Sequence, residues 1–327
     1  MKSTSKTLVA LLAVAGLAFG SASDATAAPA KKKVVASSKS EKPDGRLVRK
    51  SYSSTARNRA AAVPVVAAVQ DDGPVPKLAS SAVAVIDQAT GDVLYEKNAN
   101  AVVPIASITK LMTAMVALDA QPSLSEMLTV SDADVDLLKG THSRLSVGTQ
   151  LTREEMMRLS LMSSENRATA AISRYYPGGR PAFIAAMNAK ALELGLTDTR
   201  FEDPTGLTPA NVSSARDLVK MVNAAHQYPL IREFSTSEEY QVAIKGRAQT
   251  FRNTNALVKS DNWTIGLSKT GYISEAGKCL VMQAWLNNKP TIIVLLDSWG
   301  KVTRIADAQR IKRWIETLAS SGVSFRS

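Results

Sequence analysis

Ser107 and Lys110 are polar side chains at the start of an otherwise apolar segment, and they could act as a nucleophile and its base. Most residues from 108 to 118 are apolar, which predicts a helix buried in the middle of a domain. Because residues three apart lie on one face of a helix, the hydroxyl and the amine would face the same cleft. A serine hydroxyl needs an adjacent base, and a lysine amine becomes that base when burial lowers its pKa.

The start of this helix favours the same chemistry. Pro104 cannot continue a helix from upstream, so the helix begins after it. The helix N-terminus presents free backbone N–H groups, which favour an oxyanion near Ser107. Ser-x-x-Lys is a short pattern that often arises by chance on protein surfaces. The segment therefore indicates nucleophilic catalysis only in combination with further motifs.

Two later segments supply such motifs. Ser164-Glu165-Asn166 lies at a predicted helix end, and Lys269-Thr270-Gly271 lies on a predicted strand. Each is weak alone, since Ser-x-Asn is commonly a helix cap and a strand lysine is commonly a solvated edge charge. In this order, Ser-x-x-Lys, Ser-Asp-Asn and Lys-Thr-Gly mark penicillin-binding proteins and class A β-lactamases. Glu165 replaces the usual aspartate, but its two neighbours are the residues with named roles.

The resemblance extends beyond the three motifs. The chain resembles low-molecular-mass penicillin-binding proteins, and among them the periplasmic D-alanyl-D-alanine endopeptidases (penicillin-binding protein 7 type), from about residue 78 to 318. It implies an α/β fold in which an antiparallel sheet is flanked by helices and carries an inserted helical subdomain, as in β-lactamases and transpeptidases. The segments that carry the resemblance, besides the motifs, are residues 161–168, 204–207, 251–255, 261–263 and 276–282.

The resemblance also implies catalytic roles. Ser107 would attack a D-alanyl carbonyl and form an acyl-enzyme, Lys110 would take its proton, and Ser164 would relay a proton to the leaving amine. Asn166 would position the substrate and Lys110. The backbone N–H groups of Ser107 and Tyr272 would form the oxyanion hole. The residues expected to bind substrate are Asn166, Lys269, Thr270, Gly271 and Tyr272.

Lys269 and Gly271 have distinct roles within this set. Lys269 would hold substrate and keep Lys110 partly neutral, because a nearby like charge lowers the pKa of an amine. Gly271 would let a peptide lie against the strand as an added β partner. The implied partners are cross-linked peptidoglycan peptides, with β-lactams as covalent inhibitors, and no cofactor is expected.

Charge is unevenly distributed along the chain, whose formal net charge is +11. Residues 1–27 combine a basic start, a short apolar run and an Ala-x-Ala end, which predicts a secretory signal peptide and a periplasmic protein without a stable membrane anchor. Residues 28–77 are basic and poor in apolar periodicity, which predicts a disordered linker. We expect the catalytic domain at residues 78–320. Nucleic acid is not an expected partner, since export removes the chain from it.

Local patterns predict the elements that position these residues. Residues 82–86 and 93–96 flank a glycine-containing turn, and Asn287-Asn288 lies between two apolar runs, so both regions predict β-hairpins. The middle of the chain is mostly helical, including a short helix over residues 131–138 and a capping box at residues 152–155. Residues 240–244 predict a strand followed by a loop, and the chain closes with a helix over about 302–318. Strands at both ends therefore predict one sheet built from distant segments.

Other chemistries fit the sequence less well. His142 and His226 are the only histidines, and neither lies in a nucleophile-elbow context. No zinc-type cluster is apparent, so no metal is expected. Cys279, the single cysteine, lies in an apolar strand and is interpreted as a buried, inert thiol.

Three alternatives to an endopeptidase stay open. A D-alanyl-D-alanine carboxypeptidase would carry the same motifs. A serine β-lactamase would need a base for rapid deacylation, for which Glu202 is the tempting candidate. A catalytically idle wall-binding module would use the basic linker. Arg304 could pair with a substrate carboxylate, although its place at a helix start favours an exposed arginine.

Overall fold

A five-stranded antiparallel sheet joins strands from the two ends of the described part of the chain. The computed structural model describes residues 75–321, so the expected signal peptide and nearly all of the expected linker lie outside the described residues. The strand order is β2-β1-β11-β10-β9. The strands are β1 (Ala82–Asp87), β2 (Val93–Lys97), β9 (Thr264–Ile273), β10 (Gly277–Leu286) and β11 (Lys289–Ser298).

The sheet is built from segments more than 200 residues apart in the chain. β1 pairs with β11 in the register Ala82 to Leu296, while two local hairpins add β2 and β10. The β10–β11 turn holds Asn287 and Asn288 at φ 50° and 61°, the left-handed geometry that tight hairpin turns require. Both predicted hairpins and the sheet made of distant strands are confirmed.

Helices cover the two faces of this sheet, and a helical subdomain is inserted between β2 and β9. α7 packs against β10 and β11 on one face, and α5 packs against β1 and β11 on the other. The helices are α1 (Lys110–Asp119), α2 (Arg153–Met162), α3 (Asn166–Arg174), α4 (Gly179–Glu193), α5 (Ala215–Ala225), α6 (Pro229–Thr236) and α7 (Thr303–Ser320). The predicted fold class is confirmed.

Three short strand pairs stabilise the helical subdomain. The strands are β3 (Val103–Pro104), β4 (Met127–Thr129), β5 (Gln150–Thr152), β6 (Val212–Ser213), β7 (Glu239–Ile244) and β8 (Arg247–Arg252), paired β3 with β6, β4 with β5 and β7 with β8. β3 lies directly before the segment that contains Ser107, and the β7–β8 pair precedes β9.

Two local predictions are wrong. The expected helix over residues 131–138 is only the short turn Asp132–Asp134, and the rest of that segment is a loop. Asp136 organises this loop by accepting backbone N–H groups from Leu138, Lys139 and Thr141, which competes with helical hydrogen bonding. The loop expected after β7 contains β8, because a tight turn brings residues 247–252 back along β7.

Within residues 75–321, no helix has the length and apolar character needed to cross a membrane.

Candidate active site

Ser107 lies in a tight turn, Ala106–Thr109, that leads directly into α1. Ala106 is fully buried and has a φ of 47°, a conformation that is strained for a residue with a Cβ atom. The Thr109 hydroxyl donates to the Ala106 carbonyl at 2.8 Å, which closes the turn. Ser107 is thereby held just outside the first helical turn, and Lys110 is the first residue of α1.

Two glycines from distant segments press against this turn. A Cβ atom on Gly206 would lie 1.9 Å from the Ala106 carbonyl oxygen, and one on Gly271 would lie 3.1 Å from the Ser107 nitrogen. The Gly206 loop is fixed by Asp203, whose carboxylate accepts the backbone N–H groups of Gly206 and Thr208 at 2.6 and 2.8 Å. The loop and β9 can approach Ala106 and Ser107 this closely only because neither glycine has a side chain.

We expect Gly206→Ala to damage the site far more than Gly91→Ala. Both glycines have a φ of +82°, but a Cβ atom on Gly91 meets nothing within 4 Å. Gly91→Ala should therefore cost about 1–2 kcal/mol of stability from the left-handed backbone alone, whereas Gly206→Ala must also displace its loop. Thermal melting and the rate of labelling by fluorescent penicillin test this. Equal losses of melting temperature and labelling rate in the two variants would show that the close approach of Gly206 to the Ala106 carbonyl does not matter for the site.

The Lys110 amine lies at the centre of three oxygen atoms. Its Nζ is 2.8 Å from Ser107 Oγ, from Asn166 Oδ1 and from the Thr205 carbonyl oxygen. The Asn166 Oδ1 and Thr205 oxygens can only accept hydrogen bonds. A neutral amine has two N–H groups and one lone pair, so it would donate to those two oxygens. The lone pair is then left facing the Ser107 hydroxyl.

Burial makes the neutral amine accessible near physiological pH. Lys110 is fully buried, and this desolvation lowers its pKa to about 7, although the charges of Asp203 and Glu165 oppose the shift. Lys110 can therefore exchange a proton with the Ser107 hydroxyl at neutral pH, which an ordinary surface lysine cannot do.

A second buried lysine faces the other side of the site. Lys269 Nζ lies 3.0 Å from Ser164 Oγ and 2.8 Å from the Thr270 carbonyl oxygen. Burial, together with the positive charges of Lys110 and Arg304, holds the pKa of Lys269 well below its usual range. The Ser164 hydroxyl, at the turn between α2 and α3, is thus within hydrogen-bond distance of the Lys269 amine, which carries N–H groups whether or not it is charged.

The segment that follows β8 connects the Lys269-Thr270-Gly271 motif to the Ser164-Glu165-Asn166 motif. The Thr254 backbone N–H donates to the Met162 carbonyl at the end of α2, at 3.0 Å. The hydroxyls of Thr254 and Thr270 lie 2.7 Å apart. These contacts attach the Ser164 turn to β9. On the same strand Tyr272 is 60% exposed, so its side chain lies at the rim rather than in the interior.

Arg304 is not the exposed arginine that its place at a helix start favours. It is half-buried, and its guanidinium donates to the backbone carbonyls of Gly271 at 3.1 Å and Cys279 at 3.2 Å. Arg304 therefore lies beside the Lys-Thr-Gly segment and adds positive charge to it. The interpretation that it faces a substrate carboxylate is compatible with this position.

An ion pair joins the two sides of the site at its rim. Lys139, in the loop after Asp136, contacts Glu275 at 2.5 Å, and Glu275 lies in the turn that follows β9. The Lys139 hydrogen bond lowers the pKa of Glu275 to about 2. Glu165, the departure from the usual motif, is buried and accepts the Ser143 hydroxyl at 2.7 Å. Both contacts hold the loop of residues 136–144 close to the motif residues.

None of the residues considered for other chemistries forms a side-chain hydrogen bond with Ser107, Lys110 or Lys269 in the described part of the chain. Glu202 is exposed and forms an ion pair with Arg200. The neighbouring Asp203 is turned into its own loop instead. Cys279 is fully buried, and burial raises the pKa of its thiol to about 11. His226 is half-buried beside Trp285, and His142 is exposed.

The sequence motifs do not reveal Thr205, Asp203, Thr141 and Thr254, all of which contact motif residues or the loops that hold them. Thr205 and Thr254 lie in segments 204–207 and 251–255, which carry the family resemblance, and Asp203 begins a turn-like Asp-Pro-Thr-Gly sequence. Thr141 gave no signal, because its partner Asn166 is 25 residues away in the chain.

The chain is similar to known cell-wall peptidases. A family model described as D-alanyl-D-alanine carboxypeptidase (Peptidase_S11) matches residues 67–300. A D-alanyl-D-alanine endopeptidase of Pseudomonas aeruginosa is 51% identical over 243 residues, 74% of this chain and 78% of the relative. One of Escherichia coli is 50% identical over 244 residues, 74% of this chain and 79% of the relative. A Streptomyces DD-transpeptidase structure aligns with a TM-score of 0.69 at 30% identity, covering 74% of this chain and 99% of that chain.

Proposed function

This chain belongs to the D-alanyl-D-alanine carboxypeptidase family of serine peptidases, and we propose that it is a D,D-endopeptidase that hydrolyses D-alanyl cross-links in peptidoglycan. The observation that carries the proposal is the 2.8 Å contact between the Lys110 amine and the Ser107 hydroxyl in a buried setting. The relatives that are about half identical to the chain are named endopeptidases, which favours that activity over carboxypeptidase activity.

In the acylation step, Ser107 Oγ attacks the carbonyl carbon of a D-alanyl residue while Lys110 Nζ takes the hydroxyl proton. The carbonyl oxygen becomes an oxyanion, which the backbone N–H groups of Ser107 and Tyr272 stabilise. The C–N bond of the cross-link then breaks. The leaving amine receives a proton through the Ser164 hydroxyl, and an ester on Ser107 remains.

The substrate peptide lies along β9, the last strand in the sheet order. An edge strand offers unpaired backbone groups to an extended peptide, and Gly271 leaves room for it beside the nucleophile turn. The part of the substrate that leaves would lie near the basic side chains of Lys269 and Arg304 and near the Thr270 hydroxyl. Asn166 has one N–H left for the substrate after its bond to Thr141. Water then hydrolyses the ester and frees the acid.

The proposal includes the location and the inhibitors of the enzyme. A signal peptide at residues 1–27 would export the chain to the periplasm, where cross-linked peptidoglycan is found. A β-lactam would acylate Ser107 in place of the peptide. Glu202, the candidate base for rapid deacylation, is paired with Arg200 instead, which argues against a β-lactamase.

Digestion of purified cross-linked muropeptides with mass analysis tests the proposed specificity. We expect dimers to be converted to monomers, because the D-alanyl bond to the second stem peptide is broken. Loss of one terminal alanine from monomers, with dimers left intact, would instead indicate the carboxypeptidase. Rapid steady-state turnover of a chromogenic cephalosporin would indicate the β-lactamase, whereas stoichiometric labelling is expected here.

A further inference from the structure

We infer that Thr141 and Asp136 are positioning residues that fix the orientation of the Asn166 side-chain amide and, through it, the orientation of the Lys110 amine. The inference rests on the proposed role of Lys110 as the base. It concerns a loop outside the three sequence motifs. The contacts that carry it form one continuous path, from Asp136 through Thr141 and Asn166 to Lys110.

The Thr141 hydroxyl has one proton, and its geometry determines where that proton goes. Thr141 Oγ1 lies 2.7 Å from Asp136 Oδ2, and an ionised carboxylate can only accept. The hydroxyl proton is therefore donated to Asp136. Thr141 Oγ1 then accepts from Asn166 Nδ2, which lies 3.0 Å away. Because its only proton is donated to Asp136, the Thr141 hydroxyl can accept from the NH2 group of Asn166 but cannot donate to the Asn166 amide oxygen.

The orientation of this amide decides what faces the base. With Nδ2 held by Thr141, Oδ1 faces Lys110 Nζ at 2.8 Å. If the amide turned over, its NH2 group would face the amine and would compete for the lone pair that Ser107 needs. The Thr205 carbonyl, the other acceptor, cannot turn because it belongs to the backbone. Asn166 is thus the movable contact of the base, and Thr141 is its anchor.

Asp136 is itself held as an ionised acceptor. Partial burial would raise its pKa, but hydrogen bonds from the Lys139 backbone, the Thr141 hydroxyl and the Thr141 and Leu138 backbones outweigh it and hold the pKa below its ordinary value. One oxygen accepts two of these backbone N–H groups and the other faces Thr141. The Lys139–Glu275 ion pair ties the same loop to the turn after β9.

Other charges also act on the base, and they are unaffected by a change at Thr141. Asp203 and Glu165 favour the charged form of Lys110, and the positive charges of Lys110 and Arg304 add to burial in lowering the pKa of Lys269. None of these charged side chains forms a hydrogen bond with Thr141 among the described residues. A change in the pH dependence of a Thr141 variant therefore reports on the Asn166 contact.

The test compares Thr141→Val with Thr141→Ser. Valine keeps the shape but removes the hydroxyl, so Asn166 loses its anchor. We expect the second-order rate of labelling by fluorescent penicillin to fall about 10–100-fold, by analogy with the loss of a general-base contribution. We also expect the pH midpoint of that rate to move below the wild-type value, since a protonated amine loses an acceptor. Serine should restore most of the rate and the midpoint.

Each outcome bears on the inference. A Thr141→Val protein with the wild-type rate and midpoint would overturn it, as would equal losses in both variants with an unchanged midpoint. Asp136→Asn provides a second route to the same contact and should shift the midpoint in the same direction as valine. Circular dichroism melting shows whether each variant is folded. Failure of the wild-type protein to become labelled would instead contradict the proposed function itself.

Discussion

Ser107→Ala should abolish covalent labelling by penicillin and reduce cleavage of cross-linked muropeptides by about 10⁴-fold or more, as loss of the nucleophile does in other serine peptidases. The reason is that the ester intermediate cannot form without Oγ, and the remaining contacts of the site only hold the substrate. The variant should keep its fold, because the Ser107 side chain is half-buried and the turn is closed by Thr109.

Ser125→Ala is a matched control. Ser125 is exposed in the loop that follows α1, and its hydroxyl contacts Ser123. It should retain wild-type labelling and cleavage. Mass spectrometry of the labelled wild-type protein should place the adduct on a peptide containing Ser107. An adduct on another residue, or full cleavage by Ser107→Ala, would contradict the assignment of the nucleophile.

Lys110→Met should reduce the acylation rate by about 10³-fold at pH 7.5, within the range that a general base contributes. Methionine has a similar length and suits a buried position, so the fold should persist. What it lacks is the nitrogen lone pair that takes the Ser107 proton. Stopped-flow measurement of penicillin acylation checks the expected loss.

The pH dependence of the wild-type enzyme follows from the same amine. Lys110 acts as a base only when neutral, and its pKa is about 7. The acylation rate should therefore rise about tenfold per pH unit below 7 and level off above it, because the neutral fraction does so. In Lys110→Met this limb should be absent. A wild-type midpoint near 10 would mean that Lys110 behaves as an ordinary surface lysine and is not the base.

Lys259→Met serves as the control for removal of a lysine. Lys259 is exposed, at the end of a short turn before β9. Its loss should leave both the acylation rate and the midpoint unchanged. An equal loss of rate in this variant would show that the Lys110 effect arises from net charge and not from proton transfer.

Much of the fold is determined by local patterns in the sequence. Four local signals are each followed by the element that they predict. They are the turns at residues 88–92 and at Asn287-Asn288, the capping box of Thr152 and Glu155, and the apolar run of α1. These signals are local because turn geometry, capping and periodicity involve neighbouring residues. The antiparallel sheet with an inserted helical subdomain followed from their order.

Local patterns failed where hydrogen bonds that composition does not reveal compete with the predicted element. Residues 135–138 have helical character, but the Asp136 carboxylate takes the backbone N–H groups that would begin a helix. Residues 247–252 look polar and loop-like, yet they pair along β7. The position of Arg304 at a helix start predicts an exposed side chain, whereas its guanidinium binds backbone carbonyls of β9 and β10 and is half-buried.

Residue order alone establishes which groups can react: an alcohol and an amine three residues apart, with the Ser-x-Asn and Lys-Thr-Gly segments in their known order. The surroundings of the amine depend on the folded chain, since Asn166 and Thr205 are 56 and 95 residues away from Lys110. The low pKa of Lys110 has the same origin, because burial is a property of packing and not of spacing. Residue types establish the available chemistry, and packing establishes the proton affinity and orientation that this chemistry needs.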